Sequence, residues 1–584
     1  MGAKKEARRG GQASGSAADA APGSSAVPGS TAAPGSADRL ASRDRSTGRV
    51  LGSVPRSTPD EVRAAVAAAG VAAAAWRESS LRERLVVLRR LRGLVLDRAD
   101  ELAELVSAET GKTVTEAVPS EIAVVLETAA WLEREAPRHL APIDAGTRQL
   151  FFLGRSHRLV LEPLGVVAAI TPFNYPLPVA SAALLFNLVA GNGVVWKPSS
   201  LTPLTAERFR ALLVDAGVPA DLVPTVHGGS VVGEALVTAP GIAKVFFTGS
   251  EAVGRRVMAL ASAAPVGPRP VVLELGGKDA MLVLADADLE RAAGGALWAG
   301  FNNAGQTCAS VKRLYVAESV AAELERRLVA RAIHLRPGDP GRPATQLGTM
   351  ADRSSRDRVV ELVEDAVARG GRLVVGGSPL DPAHPDLAGA YEATILADVP
   401  PDARIWREEL FGPVITLAPF RDEEEAIRLA NESDYGLTAS VWSRDLDRAR
   451  AIAARLEAGS VTVNDHLSSA GASQLAWAGR KGSGFGMTRS RFGLWECCHV
   501  KSVAVDPGWW DPPWWHPYDA HLRRGFLAGL GALYAPGLGG RLRWLVRGLP
   551  SLLVVGRRLL RSVTRAPSLP PDPTIGSRRD DPAA

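Results

Sequence analysis

RLVLEPLGVVAAITPFNYP, residues 158–176, joins short apolar runs to a cluster of Thr, Pro, Phe and Asn. The same texture, with helical stretches between, returns in GNGVVWKPSS (191–200), DLVPTVHGG (221–229), IAKVFFTGS (242–250) and PVVLELGG (270–277). Short buried strands that alternate with helices are typical of a parallel α/β sheet. Ligands bind at the carboxyl ends of such strands, where these polar and Gly-rich clusters fall. The stretch therefore predicts an α/β fold with a site at one sheet edge.

The flanking segments extend this pattern in both directions. Upstream, residues 57–112 predict long helices, the first of which begins with Thr58 as cap and Pro59 in the first turn. Downstream, strand and helix patterns return over roughly residues 274–478 and predict a second α/β unit. A chain of 584 residues with 46% hydrophobic content has room for two such units and appendages.

Cysteine usage and the N-terminus indicate the compartment. The three cysteines are Cys308 and the adjacent Cys497 and Cys498, which suggest no disulfide framework and hence a reducing, intracellular setting. Residues 1–40 carry charge but no apolar run, which argues against a secretory signal, and their Gly/Ala/Ser/Pro bias predicts a disordered leader.

The net charge of +5 belongs to the end of the chain. From Pro507 onward eleven Arg face five acids, which leaves about −1 for residues 1–506. Residues 1–506 have no excess of basic residues that could bind the phosphates of nucleic acid, so we expect no nucleic-acid partner.

Two motifs at predicted strand ends fit a nucleotide site only weakly. Gly249 and Gly254 flank a strand-to-helix turn in which Ser250 and backbone amides could meet a pyrophosphate, but the turn lacks the G-x-G-x-x-G spacing and an ordinary tight turn is the alternative. Lys197 ends an apolar strand, where a solvated lysine is the alternative.

Two residues have the chemistry of a nucleophile and a base. Glu274 lies in an apolar run before two glycines, where poor solvation would raise its pKa toward the range of a general base; a Glu paired with a nearby Arg or Lys is the alternative. Cys308 lies among Gln306, Thr307 and Ser310, so an accessible nucleophilic thiol and an inert buried one are both open.

Asn174 and the segment REELFGPVITL complete the candidates. The Asn174 carboxamide could stabilise an oxyanion formed when a thiolate adds to a carbonyl, or simply form a turn beside prolines. Glu409 could meet ribose hydroxyls and Phe411 could wall a planar ring; a charged turn with a core Phe is the alternative.

The order PFNYP, KPS, FTGS, ELGGK, GQTC, EELFGPV resembles the aldehyde dehydrogenase superfamily over about residues 50–505. The resemblance implies a Rossmann-like dinucleotide-binding domain (41–150 and 165–273), an α/β catalytic domain (274–478) and small β oligomerisation strands (151–164 and 479–506). It also implies a homodimer or homotetramer in the cytoplasm, with a small-molecule aldehyde as substrate and no metal site.

The resemblance also assigns roles. Cys308 forms a thiohemiacetal whose oxyanion is held by Asn174 and the Cys308 N–H, hydride passes to nicotinamide, and Glu274 activates water to hydrolyse the thioester to an acid. Coenzyme-A-acylating relatives generally lack this glutamate, so the hydrolytic type is expected. The NAD or NADP site is expected to comprise Thr171, Pro172, Lys197, Ser199, Ser200, Gly249, Ser250, Gly254, Leu275, Glu409 and Phe411.

The sequence leaves the cofactor preference and the substrate open. Ser200 stands where NAD-preferring members often carry a Glu, and it does not repel a 2′-phosphate, so the sequence does not separate NAD from NADP. Asp465 and His466 lie where members of the resembled family shape a substrate tunnel, which Trp477 and Trp495 could narrow; a plain strand-end loop is the alternative. Oxidation of a semialdehyde such as succinate semialdehyde and a catalytically silent scaffold are the alternative functions.

Residues 507–584 form a basic amphipathic extension in which arginines alternate with Leu, Val, Trp and Phe and no acid occurs between Asp519 and Asp572. The longest uncharged run, Gly525 to Gly540, is shorter than the roughly 20 residues that span a bilayer. This composition suggests a segment that lies on the inner face of a membrane. The alternative is packing of the Trp/Pro part over the substrate domain, followed by a loose arm.

Overall fold

The computed structural model describes residues 38–146, 154–380 and 389–563. Its strands in chain order are β1 Arg39–Arg43, β2 Val50–Pro55, β3 Ile143–Asp144, β4 Ser156–Pro163, β5 Val166–Ile170, β6 Gly193–Lys197, β7 Ile242–Thr248, β8 Val271–Glu274, β9 Asp279–Val283, β10 Val311–Ala317, β11 Arg372–Val375, β12 Thr394–Ala397, β13 Val414–Phe420, β14 Tyr435–Gly436, β15 Thr438–Trp442, β16 Ser460–Val463, β17 Arg480–Lys481, β18 Gly484–Phe485 and β19 Cys498–Val505.

The helices in the same residues are α1 Pro59–Arg77, α2 Leu81–Asp97, α3 Ala99–Thr110, α4 Val114–Ala117, α5 Ala123–His139, α6 Pro176–Ala190, α7 Pro203–Ala216, α8 Ser230–Thr238, α9 Glu251–Ser262, α10 Leu289–Phe301, α11 Glu318–Ala332, α12 Arg353–Ala368, α13 Glu423–Asn431, α14 Leu446–Ala453, α15 Ser468–Gly471, α16 Ser490–Glu496, α17 Ala520–Tyr534 and α18 Gly537–Val563. Short 3₁₀ turns cover Ala220–Leu222, Asn302–Gly305 and Arg404–Trp406, and one π-helical turn covers Val118–Ile122.

The first sheet has the order β18-β8-β7-β5-β6, and its four longer strands are parallel. Its strands share one hydrophobic core with helices α1 to α3 and α5 to α8. Thr58 caps α1 reciprocally with Glu61, and Pro59 is its first residue, as the sequence predicts.

The second sheet has the order β11-β12-β13-β10-β9-β15-β16 and is parallel except for its edge strand β11. Helices α10, α11 and α12 pack against one face, and α13 and α14 pack against the other. The sequence predicts this second unit, including the strand-helix-strand order of residues 437–465.

Two predicted strands behave differently from the rest of the opening pattern. Residues 158–163 belong to β4, which pairs antiparallel with β19 and β3 in a separate three-stranded sheet. Residues 221–229 form no regular strand; Thr225 makes a single bridge to Trp196, because Pro224 has no N–H to continue a ladder along β6.

The ends of the chain are only partly described. The predicted leader lies outside the described residues up to residue 37, and the chain divides into a unit Met1–Arg39 and a unit Leu40–Ala584. After β19 the extension folds into α17 and α18, which pack against each other. Within the described residues no helix is both long and apolar enough to span a membrane.

Candidate active site

The carboxyl ends of the parallel strands of the first sheet bring most predicted cofactor residues to one edge, because the four strands run in the same direction. These residues are Thr171 and Pro172 after β5, Lys197 at the end of β6 with Ser199 and Ser200 after it, Gly249 and Ser250 after β7, and Leu275 after β8, whose last residue is Glu274. Motifs that are far apart along the chain therefore lie close together in the structure.

Cys308 lies on a tightly fixed turn just before β10. Gly305 has a φ of +72°, and a side chain there would collide with the carbonyl oxygen of Gly412. Lys312, fully buried, donates to the carbonyl oxygens of Thr307 and Cys308 at 2.9 and 3.2 Å. The backbone around Cys308 is thus held from both sides.

The Cys308 thiol is half-buried and uncharged at neutral pH. Burial raises its pKa to about 12, since the thiolate loses solvation, and the nearby Lys312 ammonium opposes that rise. Formation of the reactive thiolate therefore depends on positive charge close to the sulfur.

Glu274 is a buried carboxyl with one committed oxygen. Oε1 accepts from the Thr488 hydroxyl at 3.2 Å, whereas Oε2 is buried without a hydrogen-bond partner among the described residues. Burial raises the pKa of Glu274 to about 8, and Thr488 and Arg489 oppose the rise. A carboxyl of this kind is poised to exchange a proton near neutral pH.

Arg489 is a functional candidate that the sequence analysis missed. Its side chain is buried and its Nη1 has no partner among the described residues. Burial lowers its pKa to about 10, and both Glu274 and Cys308, which line the same cavity, counteract this effect. Its position in the loop after β18 gives no motif by which the sequence could have found it.

Asn174 lies beside the turn that carries Cys308. Its Nδ2 donates to the carbonyl oxygen of Gln306 at 2.9 Å, which leaves a second N–H on the same nitrogen for a ligand. Its own backbone carbonyl accepts from Asn303 Nδ2 at 2.9 Å and from Lys112 Nζ at 3.1 Å. The amide is therefore fixed before any substrate arrives.

A buried ion pair that the sequence analysis also missed supports this region. Lys112 and Glu121 are both fully buried and paired, and Glu121 also accepts from the Leu177 N–H at the start of α6. Lys112 lies 3.9 Å from the centre of the Tyr175 ring, whose hydroxyl lies 2.7 Å from the Thr307 hydroxyl. The pair links α6 to the residue before Cys308.

A cavity of about 370 Å³ opens onto Cys308, Glu274 and Arg489. Its remaining wall is mainly aliphatic and aromatic and includes Ile170, Val179, Phe246, Phe247, Trp298 and Trp477. A concave, mostly apolar space with a few convergent polar groups is the usual form of a small-molecule site.

The predicted tunnel residues separate into two groups. Asp465 and Trp477 line the cavity. His466 instead contacts the carbonyl oxygen of Ala309, the residue after Cys308, at 3.1 Å and the Ser440 hydroxyl at 2.8 Å. Trp495 donates to the His139 carbonyl and does not line the cavity, so a tunnel wall is wrong for it.

The turns after β6 and β7 have the features that a dinucleotide requires. Lys197 is 9% exposed, its nearest acceptor is the Pro198 carbonyl at 3.5 Å, and burial lowers its pKa to about 8. Ser250 is the N-cap residue of α9 and makes no side-chain cap bond, so the first N–H groups of the helix are available for an anion. Gly254 is required by packing, since a Cβ there would lie 2.5 Å from Leu275.

Glu409 and Phe411 lie next to the Gly276–Gly277 turn. Glu409 Oε1 accepts from the Gly277 N–H at 3.1 Å, and a side chain at Gly276 would collide with the Glu409 carboxyl. Phe411 meets Phe173 edge to face with ring centres 6.1 Å apart. These two residues thus join the second unit to the turns that carry Asn174 and Leu275.

Comparison with known proteins agrees with this geometry. The sequence model described as "Aldehyde dehydrogenase family" matches residues 32–503. The 4,4'-diapolycopene aldehyde oxidase of a Methylomonas species is 40% identical over 452 residues, which cover 76% of this chain and 82% of that protein.

Two solved structures have the same fold. A point mutant of Staphylococcus aureus betaine aldehyde dehydrogenase in complex with NAD+ has a TM-score of 0.77 at 29% identity and covers 83% of this chain and 96% of that one. An NADP-dependent enzyme of E. coli has a TM-score of 0.76 at 33% identity and covers 81% and 95%.

Proposed function

Because this chain belongs to the aldehyde dehydrogenase family of NAD(P)-dependent oxidoreductases, we propose that it oxidises a hydrophobic aldehyde to the carboxylic acid through a thioester on Cys308. The observation that carries the proposal is the cavity in which Cys308 and Glu274 share an otherwise largely apolar wall. A scaffold without catalysis has no physical need for a buried, unpaired carboxyl oxygen beside a thiol.

The first step joins Cys308 to the aldehyde carbon. The thiolate adds to the carbonyl, and the oxygen that becomes negative is held by the Asn174 amide and the Cys308 N–H. Lys312 favours the thiolate, because its ammonium lowers the pKa of the thiol. The fixed Asn174 amide needs no reorganisation at this moment.

The second half releases the acid. NAD or NADP, when bound, would supply the acceptor for the hydride that the thiohemiacetal carbon gives up. Glu274 then removes a proton from water, the water oxygen adds to the thioester carbonyl, and the Cys308 thiolate leaves. The unpaired Oε2 of Glu274 supports this role, since it has an acceptor position to offer a water.

The residues at the sheet edge would hold the cofactor. Lys197 and the first N–H groups of α9 would meet its ribose and phosphates, and Glu409 would meet the second ribose. Ser200 donates to the Gly228 carbonyl and carries no charge that would repel a 2′-phosphate. We therefore propose that the site admits both NAD and NADP.

The substrate class follows from the wall of the cavity. Aliphatic and aromatic side chains favour an extended apolar aldehyde, and the relative named as a diapolycopene aldehyde oxidase supports the same class. A second candidate is a semialdehyde, because Arg489 Nη1 is a buried donor without a partner among the described residues and could pair a substrate carboxylate.

We propose a cytoplasmic homodimer or homotetramer with the C-terminal extension toward a membrane. Strand β19 lies at the edge of its sheet and is exposed along nearly its whole length, so a second copy could pair with it. Light scattering of the purified protein would test this, and a monomer at working concentration would exclude it.

The proposed aldehyde oxidation is tested by measuring turnover as the absorbance of reduced nicotinamide, with NAD or NADP as the cofactor. The panel contains apolar and carboxylated aldehydes, with Cys308→Ala as the inactive control and Cys498→Ala as the matched control. We expect turnover of apolar aldehydes that only Cys308→Ala abolishes. Preference for carboxylated aldehydes would favour the semialdehyde reaction, and no turnover with any pair would contradict both.

A further inference from the structure

The C-terminal extension forms a helical hairpin, defined here as α17 and α18. The two helices approach closely at small residues: Gly548 of α18 lies against Ala528, and Trp544 lies over Gly531. Ser551 and Gly548 are buried, and Gly525 is packed against Val555, so the hairpin has its own interior. The family match ends at residue 503, before the hairpin begins.

The outward face of α18 carries a leucine-rich stripe. With about 3.6 residues per turn, these side chains fall on one side of the helix, away from Trp544, Gly548 and Ser551. Its most exposed members are Leu538 (85%), Leu542 (61%), Leu549 (54%), Leu553 (59%) and Leu560 (69%). An apolar face of this length is unusual on a surface and marks an interaction site.

A band of arginines flanks the leucine stripe. Arg543, Arg547 and Arg557 are exposed and fall on the neighbouring sector of α18. The sequence contains no acid between Asp519 and Asp572, so the hairpin has no internal carboxylates to neutralise them. In the segment that precedes the hairpin, Trp509, Trp515 and Tyr518 are exposed. Trp and Tyr favour the interface of membrane and water.

We propose that the leucine stripe and arginine band dock this protein on the surface of an anionic lipid bilayer. The stripe would insert at the boundary of headgroups and acyl chains, and the arginines would contact lipid phosphates. No helix in the described part of the chain is both long and apolar enough to span a bilayer. This deepens the proposed membrane-side location and does not depend on the chemistry at Cys308.

A second copy of the chain is a poorer occupant for this face. A two-fold contact places the same patch on both partners, so the arginine bands would face each other without carboxylates between them. Like charges at such a contact oppose association. Lipid headgroups of negative charge complement both features of α18 at once.

Flotation of the full-length protein with vesicles tests the proposal. The vesicles are phosphatidylcholine alone or phosphatidylcholine mixed with phosphatidylglycerol. One variant combines Arg543→Gln, Arg547→Gln and Arg557→Gln, and another combines Leu542→Ser, Leu549→Ser and Leu553→Ser. The control combines Val71→Ser, Val231→Ser and Val266→Ser, which change valines elsewhere that are at least as exposed as those leucines.

We expect the wild type and the valine control to float with the anionic vesicles. The arginine variant should bind them roughly 100-fold more weakly, from the contribution of each basic residue near an anionic surface. Equal binding to both vesicle types, or flotation that neither variant reduces, would overturn the proposal. Loss of self-association in the leucine variant without any flotation of the wild type would assign the face to a second copy. Oxidation of a short soluble aldehyde by each variant separates these results from failure of the enzymatic function.

Discussion

At the scale of single residues, the site depends on groups that come from distant parts of the chain. Glu274 and Thr488 are 214 positions apart but share a hydrogen bond, and Arg489 follows directly. Cys308, Glu274 and Asn174 could be predicted because each lies in a short motif of its own. Arg489 and Lys112 could not, because their importance depends on which groups the fold brings next to them.

The titration of Glu274 should govern the dependence of turnover on pH. Burial raises the pKa of this carboxyl to about 8, and the base acts only when deprotonated, so thioester hydrolysis should increase as the pH rises through that value. Arg489 lowers the same pKa. In Arg489→Met the rise should therefore occur at higher pH, measured as kcat against pH.

The conservative variant Arg489→Lys provides the control for this prediction. It keeps a positive charge near Glu274 and should restore most of the wild-type profile. A profile that does not move in Arg489→Met would mean that the guanidinium does not influence the base.

At the scale of elements, strands and helices follow from local patterns, but the turn that carries Cys308 does not. Asn303, Ala304 and Gly305 all have positive φ, and two of them are not glycine. Tertiary contacts, including those of Lys312 and Gly412, select this geometry over the conformations that the residues prefer alone. Residues 221–229 also differ from the local prediction. A strand is predicted there, but the segment forms only a single bridge, because Pro224 has no N–H to continue a ladder.

Gly305→Ala should misplace the nucleophile. The left-handed φ costs roughly 1–2 kcal/mol for a residue with a side chain, and the collision with Gly412 adds to this cost and should reduce kcat/KM. Gly48→Ala is the matched control, because Gly48 has nearly the same φ of +71° with nothing near its Cβ position. Urea unfolding and steady-state kinetics measure both, and equal behaviour of the two variants would contradict the explanation.

Lys112→Met tests the ion pair beneath Asn174 and α6. Removal of one partner leaves the Glu121 carboxyl buried without its cation, which should destabilise the protein by about 3–5 kcal/mol in urea unfolding. The double variant Lys112→Met/Glu121→Gln should recover part of that loss, since no charge remains buried. A single variant as stable as the wild type would show that the pair is not needed.

At the scale of the whole molecule, the two α/β units and their order could be predicted from alternating strand and helix patterns. The three-stranded sheet could not be derived from periodicity, because β4 and β19 are separated by most of the chain and only long-range pairing joins them. The extension shows the same limit: composition indicated a basic amphipathic segment, but the hairpin and its exposed stripe require the contacts between α17 and α18.

The proposed mechanism requires that Cys308 carry an acyl group which Glu274 helps to hydrolyse. A single-turnover experiment with Glu274→Gln, followed by intact-protein mass spectrometry, tests it most directly. We predict a burst of one reduced nicotinamide per site, a mass increase equal to the acyl group that is absent in Cys308→Ala, and a steady-state rate about 10²–10⁴-fold lower than wild type. An unmodified Cys308 together with an unchanged steady-state rate would exclude this mechanism.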